Sequence, residues 1–315
     1  MRAAALALAL AAATLVGAGA AHALPEPERV AFASRDVDAT GDAVRIDGLL
    51  YRPAVVPAGG APAVVAVHGC SGMWSNVAGH ETELSRHNVA WAELLLAEGY
   101  AVLFPDSFNP RGQRQVCTIR YGERTIDPPR RRLDVLGALA FLAAQPGIDR
   151  ARIALVGWSH GGSTTLATIN AQDSATIAAR AGPDAPPFFR AAVAFYPGCR
   201  ASLQAGSRWQ PAVPTRIHIG AEDDWTPAAP CVALGEAMHR RDLPLEVTVY
   251  AGSHHAFDGP GTRLVVRRDV PNGVNPGHGV TLGPNPAAAS AARDRVRAFL
   301  RERLGKTPAA DSPGG

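Results

Sequence analysis

The sequence predicts an α/β fold, a mostly parallel sheet with helices on both faces, and three observations lead there. Six short, continuous apolar runs recur along the chain: Ala63 to Val67, Ala101 to Phe104, Ile153 to Val156, Ala191 to Phe195, Thr215 to Ile219 and Leu245 to Tyr250. Several are β-branched and closed by Gly, Pro or Asp, as expected of strands buried on both faces. Helical stretches lie between and after them, at His87 to Glu98, Arg131 to Ala144, Ser159 to Asn170, Cys231 to Arg241 and Ala288 to Leu304. Strands that alternate with helices form a parallel sheet, because a crossover is needed to bring each strand back in the same direction. The third observation is composition: 315 residues at 47% hydrophobic and 19% charged supply a core that needs no metal or disulfide staple.

Ahead of the alternating region, Val30, Phe32 and Ser34 and then Val44, Ile46, Gly48 and Leu50 follow a two-residue period. They read as two antiparallel strands ending at Pro53, followed by a Pro/Gly/Ala loop from Pro57 to Pro62. Two irregular stretches, Ser107 to Pro129 and Asp258 to Pro286, are long enough that a functional role is more common than a decorative one. At the N-terminus, Arg2 precedes an uncharged Ala/Leu stretch to about Ala20 and then Ala21-His22-Ala23. A positive start, an apolar middle and a small-x-small end make a secretory signal peptide, residues 1–23. A single domain over residues 24–304 and a frayed tail from Gly305 to Gly315 complete the expected organisation. No other run is long enough to span a membrane, so a periplasmic or secreted protein is expected, free of the membrane after cleavage.

Several function classes drop out. Thirty-one basic against 28 acidic residues, spread evenly, argue against a nucleic-acid partner. Neither a His-Glu-x-x-His helix, nor a Cys-x-x-Cys pair, nor a phosphate-binding G-x-x-x-x-G-K-[ST] loop occurs, so no metal or other cofactor is expected.

The run Ile153 to Val156 leads directly into Gly157-Trp158-Ser159-His160-Gly161-Gly162, with a helical stretch after it. Strand, G-x-S-x-G and helix together make a nucleophile elbow, whose glycines leave room for a tight turn that raises the serine hydroxyl above the sheet. A serine needs a base to take its proton and a carboxylate to orient that base. Beyond the run ending at Tyr250 stand His254 and His255, and after Thr215 to Ile219 comes Glu222-Asp223-Asp224-Trp225-Thr226-Pro227. The chain order serine, acid, histidine is the one this kind of site requires, although spacing leaves the choice within each group open. An oxyanion hole would draw one backbone N–H from His160 and another from the loop His68-Gly69-Cys70-Ser71-Gly72, where Cys70 is the expected donor.

These residues together resemble the dienelactone hydrolase family of the α/β-hydrolase superfamily, over about Leu50 to Leu304. The resemblance selects Asp223 as the acid, four residues before Pro227, and His255 as the histidine, followed by Ala256 and Phe257. It implies an eight-stranded α/β-hydrolase sheet and hydrolysis of a small-molecule carboxylic ester or lactone through an acyl-enzyme. Founding members use a cysteine nucleophile, a glutamate in the oxyanion loop and substrate-clamping arginines, one of them four residues after the histidine. Here those places hold Ser159, Gly69 and Gly259, so the chain looks like a serine branch of the family. A peptidase or amidase with the same triad, and a catalytically silent hydrolase fold used as a binding module, are the alternatives.

In an oxidising compartment the four cysteines are expected to pair as Cys70 with Cys117 and Cys199 with Cys231, bracing the oxyanion loop and the acid loop. Trp74, Trp158 and Trp225 adjoin the catalytic loops and are candidate pocket walls, and Arg111 is a candidate for an anionic substrate group.

Overall fold

The computed structural model describes residues 24–181, 185–261 and 263–305. The expected signal peptide and all of the tail beyond Gly305 lie outside them. The chain opens with an antiparallel pair, β1 (Glu28–Val37) and β2 (Ala43–Tyr51). Then come β3 (Ala61–Val67), α1 (Arg86–Ala97), β4 (Ala101–Asp106), α2 (Pro128–Ala143), β5 (Ile148–Trp158) and α3 (His160–Thr168). The second half runs α4 (Ser174–Arg180), β6 (Ala191–Phe195), α5 (Arg200–Gln204), β7 (Thr215–Gly220), α6 (Ala228–His239) and β8 (Leu245–Tyr250). A short hairpin of β9 (Val265–Arg267) and β10 (Val280–Leu282) precedes the final helix α7 (Pro286–Leu304).

The main sheet has eight strands in the order β1-β2-β4-β3-β5-β6-β7-β8. The contacts β1 to β2 and β2 to β4 are antiparallel, and every other pairing is parallel. All residues of β3, β4 and β6 are buried. Successive strand residues point to opposite faces, so full burial means that both faces of the sheet centre are covered. By contrast β1 alternates buried and exposed along its second half, as a strand with one wet face should. The parallel register brings the carboxyl ends together: Val67 is opposite Gly157, and Trp158 is opposite Phe195. The loops that leave β3, β5, β7 and β8 therefore emerge at one edge of the sheet, where such folds place their ligands.

Three departures from the sequence reading have local causes. Helix α2 starts at Pro128 rather than Arg131, because the Asp127 side chain caps it by accepting the Arg130 N–H and proline tolerates the first helical position. The short helices α4 and α5 carry too few residues to show a helical period. The stretch Asp258 to Pro286, expected to be irregular, contains the β9–β10 hairpin, whose three-residue strands are too brief for an alternation to register.

Both expected disulfides are present, Cys70–Cys117 and Cys199–Cys231. The second joins the start of α5 to α6. Replacing Cys199 and Cys231 together by Ser should lower stability by about 3–4 kcal/mol, the loop-closure entropy released by a crosslink of this span. Guanidinium unfolding measures it, and an unchanged midpoint would contradict the entropic account.

His218 on β7 is 1% exposed and pairs through Nδ1 with the Tyr250 hydroxyl at 2.8 Å. Burial, aided by the charges of Arg295 and Arg216, pushes its pKa down to about 3. The unfolded chain takes up this proton near pH 6.5 and the folded one does not, so the stability is full above that pH and is lost as pH falls towards 3. The slope is about 1.4 kcal/mol per pH unit. His218→Gln should therefore flatten the fall of Tm between pH 6 and pH 4, whereas parallel wild-type and variant profiles would refute this.

Candidate active site

Ser159 has φ 54° and ψ −115°, a left-handed backbone for a residue with a side chain. It is held by its own N–H donating to the Phe195 carbonyl at 2.9 Å and by α3 starting at the next residue. The flanking glycines leave α3 room to approach. A Cβ on Gly157 would fall 2.3 Å from the Gly161 carbonyl oxygen, and one on Gly161 would fall 1.9 Å from that of Val67. Any side chain there would push α3 off the ends of β3 and β5, and the hydroxyl would move with it.

The His255 imidazole lies within reach of both partners, Nε2 at 2.9 Å from Ser159 Oγ and Nδ1 at 2.8 Å from Asp223 Oδ2. Asp223 is fixed by its neighbours in the turn after β7. Its Oδ1 accepts the N–H groups of Trp225 (2.9 Å) and Thr226 (2.7 Å). The Thr226 hydroxyl lies 3.0 Å from Oδ2 and 3.0 Å from the Tyr196 carbonyl. The rings of Tyr196 and Trp225 close over the imidazole at 4.6 and 4.8 Å between centroids, leaving His255 2% exposed. Asp224 turns away and accepts the Thr281 N–H and hydroxyl, which anchors β10, and His254 bonds the Glu222 carbonyl. The geometry thus brings Ser159, His255 and Asp223 together and leaves their sequence neighbours outside.

A second layer behind the histidine was not legible in the sequence. Asp258, fully buried, accepts the indole N–H of Trp91 (2.8 Å) and the Tyr196 hydroxyl (2.7 Å), and its Oδ2 faces His87 Nε2 at 3.0 Å. Desolvation works against its charge, but His87 and these hydrogen bonds prevail and hold its pKa at about 2. Asp258 thereby fixes the ring of Tyr196, against which His255 packs at a tilt.

A loop leaves β3 at His68, and the Cys70–Cys117 disulfide ties it to the segment before α2. The Val116 N–H also donates to the Cys70 carbonyl at 2.8 Å. Below this loop lie two buried imidazoles, His68 and His160, with the buried guanidinium of Arg131 from α2 between them. Desolvation first, and then the Arg131 charge, keep both rings neutral well below the ordinary histidine range.

Ser159 stands where two cavities meet. The larger, about 1010 Å³, is bounded by Ser159, His160, Cys70, Trp209, Trp225 and residues of α2, α5 and α6. The smaller, about 330 Å³, runs along His87, Trp158, Tyr196, His255 and the β9–β10 hairpin. Trp225 lines both and Trp158 lines the smaller one. Two other expectations are corrected. Trp74 lines neither cavity; its indole N–H donates to Asp106 Oδ2 at 2.6 Å. Arg111 also lines neither cavity, and its guanidinium is clamped by Asp134 (2.8 Å) and Asp36 (2.8 Å). The arginines that do line the larger cavity are Arg124, Arg132 and Arg200, and Arg132 is paired with Asp173 at 2.9 Å. Among the described residues no group of acidic, His or Cys side chains could hold a metal ion.

Several solved structures share this architecture. A thermophilic esterase from the planctomycete Thermogutta terrifontis superposes with a TM-score of 0.58 at 15% identity, covering 91% of this chain and 96% of that one. A dienelactone hydrolase-like promiscuous phosphotriesterase from metagenomic libraries gives 0.58 at 19% identity, over 88% and 99%. Porphyromonas gingivalis dipeptidyl peptidase 4 gives 0.57 at 19% identity, over 90% of this chain but 36% of that larger one. At these identities the likeness establishes the α/β-hydrolase fold and nothing finer. No curated protein sequence matches this chain. The sequence profile described as the dienelactone hydrolase family matches residues 46–304, nearly the whole of the described chain. The protein belongs to the dienelactone hydrolase family.

Proposed function

We propose that the protein is a serine hydrolase of small carboxylic esters or lactones, with Ser159 as nucleophile, His255 as general base and then general acid, and Asp223 as the group that orients it. The observation that carries this reading is the unbroken relay from Asp223 Oδ2 through His255 to Ser159 Oγ, with links of 2.8 and 2.9 Å. In it Asp223 accepts from Nδ1–H, which leaves Nε2 as the acceptor facing the hydroxyl. As Ser159 Oγ bonds to the substrate carbonyl carbon, its proton passes to Nε2. The carbonyl oxygen, now negative, is received by the N–H groups of Cys70 and His160. Collapse of the intermediate expels the alcohol, which takes the proton from His255. Water then attacks the acyl-enzyme, giving its proton to the same nitrogen, and the acid leaves as Ser159 is restored. The two cavities on either side of Ser159 would hold the acyl and alcohol portions.

We infer also that the enzyme works outside the cytoplasm, after loss of residues 1–23. Two disulfides fit that setting, and none of the described helices is long and apolar enough to cross a membrane.

Release of p-nitrophenol from short-chain acyl esters tests the chemistry. Ser159→Ala should reduce turnover by at least roughly 10³-fold, and an equal rate would refute the triad. A p-nitroanilide run in parallel should be cleaved far more slowly, whereas preference for it would make the enzyme an amidase. Replacing Cys70 and Cys117 together by Ser should lower kcat by about tenfold with little change in KM, since it loosens one of the two donors. Unaltered kcat would place the oxyanion loop's rigidity elsewhere.

A further inference from the structure

We propose that Arg131 is a positioning residue of the oxyanion hole: a buried cation that ties its two halves together and favours negative charge between them. This rests on the hydrolase reading above. The side chain of Arg131 is completely buried. Its Nη1 donates to the His68 carbonyl at 3.0 Å and to His160 Nδ1 at 2.8 Å, and its Nη2 donates to His68 Nε2 at 3.2 Å. Phe108 covers the guanidinium at 4.7 Å.

The choice of partners is informative. His68 opens the loop that carries the Cys70 N–H, and His160 owns the other N–H. One guanidinium therefore fixes both, across the junction where α3 meets the end of β3. The fork geometry suits this task, because its N–H groups diverge in a fixed plane.

The partners are also all neutral. His68 donates its Nδ1 proton to the Gly69 carbonyl at 2.8 Å, so its Nε2 is a lone-pair acceptor towards Arg131. The nearby carboxylates Asp134 and Asp106 favour its charge through space, but their hydrogen bonds are made elsewhere. Asp134 is held by Arg111 and Ser34, and Asp106 by Trp74 and the N–H groups of Phe108 and Asn109. Arg131 Nε has no hydrogen-bond partner among the described residues. A buried arginine serving only as a strut would ordinarily be matched by a carboxylate. Here the positive charge has no carboxylate hydrogen-bonded to it in the resting protein. Negative charge would develop on the substrate carbonyl at the two N–H groups whose segments Arg131 anchors, an interaction stronger in the transition state than in the ground state.

Steady-state hydrolysis of a p-nitrophenyl ester by the wild type, Arg131→Met and Arg131→Lys tests the proposal, with a phenylboronic acid as a probe of the tetrahedral anion. Arg131→Met should lose about 10²-fold in kcat with KM within about threefold, and its boronate affinity should fall by a similar factor. Arg131→Lys should recover at least about tenfold of the lost kcat, because charge is retained while the fork is lost. Thermal melts accompany each variant. If Arg131→Met is unfolded at the assay temperature, Arg131→Gln, which keeps a donor and loses the charge, takes its place with the same expectation. Met or Gln variants with wild-type kcat, equal losses in Lys and the neutral variants, or an unchanged boronate affinity would each overturn the proposal. A wild type that turns over no ester overturns the hydrolase reading and this proposal with it; an active wild type matched by the neutral variants overturns this proposal alone.

Discussion

The strained backbone of Ser159 is the constraint on which the remaining architecture depends. A residue with a side chain holds φ 54° only if its surroundings over-determine it. They do so through contact: the first turn of α3 presses against the carboxyl ends of β3 and β5, with glycine at both close approaches. The parallel register of the sheet creates that meeting place, because Val67, Gly157 and the residues of β6 end level with one another. The same alignment delivers the loop after β3 to one side of the elbow and the Asp223 and His255 loops to the other. The acid and histidine loops are themselves interlocked. A Cβ on Gly220 would fall 2.2 Å from the Ser253 carbonyl oxygen, and the Glu222 N–H donates to that same carbonyl.

Around this junction, charge is distributed unevenly. On the histidine side are two buried carboxylates, Asp223 bonded to the imidazole itself and Asp258 behind the Tyr196 ring. Both lie on the side where, in the proposed mechanism, His255 would take up the serine proton. On the other side, beneath the loop after β3, are two neutral imidazoles and the Arg131 cation. The division matches the charges that the proposed ester hydrolysis would create, positive on the base and negative on the carbonyl oxygen. Water need not reorganise to supply it, since these groups are already fixed in the resting fold.

What the sequence made legible follows from distance along the chain. The glycines around Ser159, the turn from Asp223 to Pro227 and the apolar strand runs are local patterns, each imposed by the backbone conformation of its own segment. The eight-stranded sheet and the choice of Asp223 and His255 came from the family resemblance, which spacing alone would not have supplied. The supports were invisible because they join distant segments. Nothing near Arg131 in sequence marks it as a partner of His68 and His160. Asp258 gives no sign that Trp91, Tyr196 and His87 converge on it. Arg111 failed as a substrate ligand for the same reason, since only the fold shows that Asp36 and Asp134 occupy its guanidinium. Trp74 lies beside the oxyanion loop in sequence yet turns to Asp106.

The central claim is that Ser159 alone is raised to nucleophilic strength by the relay through His255. Its most direct test is covalent labelling with a fluorophosphonate, followed by intact-protein and peptide mass spectrometry. One adduct per chain is expected, located on Ser159, with loss of that adduct in His255→Ala. An unlabelled wild type, or an adduct on any other residue, would contradict it.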